Sequence, residues 1–162
     1  MLTPRLSQMV AELIEFIGNE AALFEDFLEL LGRQQRMLIK NDPEGLNRIK
    51  ARRRKKIAES RLLNRQREEL ISMIKSTNAI EGDLNVSRLI GLIDEDQGGR
   101  LVQLRKIIDS LNSEISEVRS QNELLLTRSR EYVTRTLELL DKINSPNNSY
   151  NQNKATSKSK QL

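Results

Sequence analysis

From Leu101 to Ile143 the chain places an apolar or small residue at alternating steps of three and four. The set runs Leu101, Leu104, Ile108, Leu111, Ile115, Val118, Asn122, Leu125, Ser129, Tyr132, Thr136, Leu139 and Ile143. A strand repeats every two residues, so only a helix keeps such a set on one side. At about 1.5 Å per residue the stretch predicts a rod of roughly 65 Å. That exceeds what a compact domain of 162 residues needs. A helix with an apolar seam of this length is expected to lie against other helices, and those helices decide the function.

Two further long helices are written upstream. Thr3-Pro4 predicts a helix start, with Thr3 as cap and Pro4 at the first helical position. The seam that follows is Leu6, Val10, Leu13, Ile17, Ala21, Phe24, Leu28, Leu31 and Leu38. Asn41-Asp42-Pro43-Glu44 then reads as a tight turn and restart, so the second helix runs antiparallel to the first. Gly82, Asp83 and Asn85 mark a loop before a short amphipathic helix, and Asp94 to Gly99 turns the chain into the last long helix. The expected fold is all-α: an elongated, coiled-coil-like antiparallel bundle of three long helices plus one short one. Its helices span about 4–40, 43–77, 85–93 and 98–144 within a bundle domain of 1–145. A disordered polar and basic tail is expected over 146–162.

Composition narrows the function. Aromatics are 3% of the chain and Trp is absent, which suits thin seams of Leu and Ile. His and Cys are both missing, which removes the commonest general base, thiolate nucleophiles and the usual zinc ligands. No glycine-rich phosphate loop is present. The expectation is a protein without enzymatic activity, cofactor or metal. The N-terminus shows no secretion signal and no stretch suits membrane insertion, so a cytoplasmic location is expected.

The formal charge of +4 is unevenly spread. Between Leu46 and Glu69 stand ten Lys or Arg against three Glu, and after Asn144 come three lysines with no acid. The remainder is net acidic. Seven cations fall within the nine residues 48–56, too dense for one stripe, so they are expected to surround the helix. No aromatic lies nearby to stack on bases, which disfavours nucleic acid. The plain reading is a solvated face whose arginine stems lie along the bundle and meet acids on neighbouring helices. Arg52, Arg53, Arg54, Lys55 and Lys56 are retained as a possible second partner surface.

In the last helix the apolar stripe migrates. Asn122, Ser129 and Thr136 turn the first seam position polar, while Leu126, Val133 and Leu140 appear beside the second. A straight helix drifts about 20° per heptad against a strict seven-residue repeat, so migration alone explains this. Alternatively, Leu125, Leu126, Tyr132, Val133, Leu137, Leu139 and Leu140 form a wide surface for a partner helix. Asn122 is placed either to fix register, as buried Asn does in coiled coils, or to cap a packing layer with water and do nothing more.

Several landmarks resemble the flagellar export chaperones of the FlgN type, which serve hook–filament junction proteins. They are Glu20 with Leu23 and Phe27, the turn into Asp42, Leu46 and Ile49, and Arg67 before Leu70-Ile71. The run Gln121-Asn122-Glu123-Leu124-Leu125-Leu126 and Thr136-Leu137 complete the set. The likeness spans roughly residues 6–143. It implies a cytoplasmic chaperone without ATPase activity. Such a protein binds helix-forming terminal segments of junction proteins, prevents their aggregation and delivers them to the flagellar type III export gate. The client-binding set expected on that basis is Asn122, Leu125, Leu126, Tyr132, Val133, Leu137 and Leu140. The other reading is a coiled-coil scaffold that dimerises through the last helix without flagellar clients, and both a monomer and a homodimer stay open.

Overall fold

A computed structural model of the chain describes residues 3–144, and among these there is no strand. Helix α1 is Pro4–Lys40, α2 is Pro43–Thr77, α3 is Val86–Ile90 and α4 is Glu95–Lys160, followed here through residue 144. The helix end expected at 144 and the disordered tail expected over 146–162 lie outside the described residues. The chain divides into two units, 1–122 and 123–162.

Each boundary in unit 1 has a local cause. The Thr3 hydroxyl accepts from the Leu6 N–H at 3.2 Å, and Pro4 occupies the first turn, where no amide donor is needed. Asn41 ends α1 in the left-handed region at φ 55°, and Asp42 caps α2 by accepting from the Gly45 N–H at 3.0 Å. Gly45 is required there: a Cβ would lie 2.6 Å from the Asp42 carboxylate and 2.7 Å from the Met37 sulfur. In the loop after α2, Arg88 donates to the carbonyls of Glu81 and Asp83, both at 2.7 Å, and Gly82 takes φ 77°.

Helix α4 begins at Glu95 rather than 98. Asp94 caps it, accepting from the Gln97 N–H at 2.8 Å, and so draws the two glycines into the first turns. Gly98 is buried, and its Cα side faces the Ile90 carbonyl, where a Cβ would stand 3.5 Å away.

Side-chain ties fix the helix directions. Glu20 meets Arg67, Asp26 meets Lys56 and Gln34 meets Arg53, so α1 and α2 run antiparallel. Gln97 bonds the Ser7 carbonyl at 2.8 Å and Gln35 bonds Gln121 at 2.9 Å, so α4 climbs parallel to α1. The apolar core lies towards the start of α1: Val10, Leu13, Ile17, Leu70, Ile74, Leu89 and Leu101. Because α1 faces two helices, its buried face is broader than one seam. Leu23 and Leu30 join Val10, Leu13, Ile17, Ala21 and Leu31 inside, while Phe24 and Leu28 are half-buried.

That breadth also carries Glu20 inside, at 5% exposure. One oxygen accepts from Arg67 at 2.8 Å, and Oε1 is buried without a protein partner. Burial raises the Glu20 carboxyl above its ordinary 4.5, against the opposing pull of the Arg67 guanidinium. A raised folded value means that the group's contribution is fully present below 4.5 and is lost as the pH rises through the folded value. Glu20→Gln is therefore expected to gain on the parent at neutral pH, and the gap between their urea midpoints should close as pH falls from 7.5 towards 4.5. A gap that widens on acidification would mean that the Arg67 pair outweighs burial.

Candidate functional site

In unit 2 the apolar residues of α4 stand open. Every described residue from Arg130 onwards is exposed, and the large apolar ones range from 49% (Leu140) to 73% (Tyr132). Leu124, Val133, Leu137, Leu139 and Ile143 lie within that range, while Leu125 and Leu126 are half-buried. At 100° per residue, Leu126, Val133, Leu137 and Leu140 fall on one flank of the helix, with Leu125, Tyr132, Leu139 and Ile143 beside them.

The polar members of this stripe make few demands on a partner. Thr136 turns its hydroxyl back to the Tyr132 carbonyl at 2.8 Å. Its methyl group remains available to a facing side chain. Large contiguous apolar surface is uncommon on the exterior of a folded monomer.

Asn122, expected among the binding residues, is instead sealed inside unit 1 at 4% exposure. Its amide donates to the Leu31 carbonyl at 2.9 Å and to Gln34 at 3.2 Å, while Oδ1 is buried without a partner. Gln34 also accepts from Arg53, whose guanidinium lies 5.8 Å above the Phe27 ring. Burial, and then the nearby Arg119 charge, disfavour the charged form of Arg53. Gln34, Gln35, Arg53, Gln121 and Asn122 thus place polar contacts between α1, α2 and α4.

Asn122→Leu is expected to raise stability by up to about 1 kcal/mol, because the unpartnered Oδ1 no longer has to be desolvated. The loss should appear in alignment. Spin labels on cysteines replacing Gln35 and Gln121 in this cysteine-free chain should give a broader distance distribution when Asn122 is Leu. An unchanged distribution would remove the register role.

The basic run is sorted by its neighbours. Lys56 pairs with Asp26 at 3.4 Å and Glu59 at 3.5 Å. Arg52 and Lys55 line a shallow cleft with Asp26, Glu29 and Glu59. Arg53 is held in these polar contacts and only Arg54 of the five expected residues stands clear of α1. Sequence reasoning did not single out a cleft of about 730 Å³, which Arg67, Ile71, Lys75, Leu84, Leu101 and Arg105 help to line. Its residues are scattered over α1, α2, the following loop, α3 and α4, which no periodicity reveals.

Among the described residues no group of three or more His, Cys, Asp or Glu is placed to hold a metal ion, and no helix is long and apolar enough to cross a membrane. A family model described as FlgN protein matches residues 9–158. No curated protein and no solved structure matches the chain.

Proposed function

The chain belongs to the FlgN family, and on that premise we propose that it is a cytoplasmic flagellar export chaperone. It binds helix-forming terminal segments of hook–filament junction proteins along the open stripe of α4 and delivers them to the type III export gate. The observation that carries this reading is the exposure of Tyr132, Val133, Leu137, Leu139, Leu140 and Ile143 along one helix. An amphipathic client helix, which aggregates through its own apolar face, is matched by such a stripe over three turns or more. Binding of this kind needs no nucleotide, and release needs only a competing surface at the gate.

Leu125, Leu126, Tyr132, Val133, Leu137 and Leu140 form the contact set. The test is titration calorimetry of the chain with terminal segments of junction proteins from the same genome. Saturable binding near one to one supports the chaperone. A chain that binds no segment but self-associates, with stability that rises with its own concentration, would be the coiled-coil scaffold instead.

A further inference from the structure

We infer that the outward face of α2 is a docking surface for an acidic amphipathic helix of a partner protein. Seven cations in residues 48–56 do encircle the helix, but the fold neutralises them unequally. Arg53, Lys56 and Arg67 reach Gln34, Asp26 and Glu20 of α1, and Arg52 and Lys55 border its Asp26 and Glu29. Arg48 is exposed on the flank of Arg52 and Lys55, and four cations are left on the other side. Lys50, Arg54, Arg61 and Arg65 are exposed, and none makes an ion pair or side-chain hydrogen bond among the described residues.

Their spacing is that of one helical line. Offsets of four, seven and four residues confine them to about 60° of arc and spread them over about 22 Å. The line lies about 150° around the helix from the buried Ile49, Leu70 and Ile74. Like charges one turn apart, as in Lys50/Arg54 and Arg61/Arg65, destabilise a free helix and are relieved only by an anionic partner. Glu68 bounds the line at its C-terminal end.

The middle of the line identifies the kind of anion. Between Arg54 and Arg61 the same face carries Ile57, 38% exposed, and the exposed Ala58. The face therefore reads cation, cation, apolar, cation, cation. A nucleic-acid backbone presents charge without interruption and gains nothing from an apolar centre; α2 also contains no aromatic residue for bases to stack on. A helix with an apolar centre and acids at matching offsets is complementary at every position, and the small Ala58 lets it approach closely. This surface lies in unit 1 and does not depend on the chaperone reading.

The experiment uses the full chain and a labelled helical peptide of about 20 residues, with Glu at offsets 0, 4, 11 and 15 and Leu at offsets 7 and 8. Fluorescence anisotropy is read against a scrambled peptide of the same composition and a single-stranded oligonucleotide. Binding of the patterned peptide should weaken with salt and fall at least about tenfold in the K50Q/R54Q/R61Q/R65Q variant. The R48Q/R52Q/K55Q variant, which also removes charge, should change it less than about threefold. Circular dichroism melts confirm that both variants remain folded. Equal losses in the two variants, equal binding of the scrambled peptide, or tighter binding of the oligonucleotide would each overturn the proposal.

Discussion

Leu101→Ala is expected to destabilise the fold by about 3 kcal/mol, whereas Leu139→Ala should change it by less than about 0.5 kcal/mol. Both leucines lie on α4, so the small gain in helix propensity from alanine is common to the two and cancels in the comparison. Leu101 is 1% exposed and is clustered with Val10, Leu13, Ile17, Leu70, Ile74 and Leu89. These neighbours come from three other helices, and their side chains cannot all close on the space that a truncated side chain leaves. Leu139 is 60% exposed and leaves no cavity. Urea midpoints measure the difference, and the melting temperature of the Leu101 variant should fall by about 6–12 °C for a chain of this size. Equal losses at the two positions would mean that the second half of the stripe is covered by another part of the chain, and the binding surface would have to be sought elsewhere.

The two halves of α4 keep one apolar seam position in common, which is why periodicity left both a covered stripe and a partner surface open for the second half. Leu111 and Leu139 occupy the same seam position, yet one is buried and the other open. Periodicity reports which side of a helix is apolar and not whether another helix lies against it. The turn at Asn41-Asp42-Pro43-Glu44 was legible because its chemistry is local: a left-handed Asn, a capping Asp and a Pro in the first turn. The start of α4 was not, since the Gly98-Gly99 pair signals a break more strongly than a single capping Asp94 signals a beginning. Glu20 was likewise misleading to a one-seam reading, because only a second neighbour helix carries its flank inside. For Asn122 the residue type suited a buried seam position, and the structure ties its amide to Leu31 and Gln34 rather than presenting it at the surface. The basic run required tertiary information of another kind: which acids of α1 lie opposite each cation.

Val133→Asp combined with Leu140→Asp should weaken binding of a junction-protein segment at least about a hundredfold and leave the fold intact. Each wild-type side chain, once covered by a client helix, contributes about 1.5–3 kcal/mol of apolar burial. Each aspartate removes that contribution and also places an unpaired carboxylate against an apolar client face, where desolvation opposes binding further. Fold stability should hardly move, because both positions are about half exposed or more in the free chain. Arg128→Gln, on an exposed and polar position of the same helix, controls for altered charge and should leave affinity within about threefold. Calorimetry gives the affinity and a circular dichroism melt gives the fold. Full affinity in the double variant would take the stripe out of the client interface while the family assignment stood, and attention would pass to the 730 Å³ cleft around Arg67 and Arg105. Loss of binding together with a collapse of the melt would mean that Val133 and Leu140 are packed in solution, and the exposure on which the chaperone mechanism rests would fail with them.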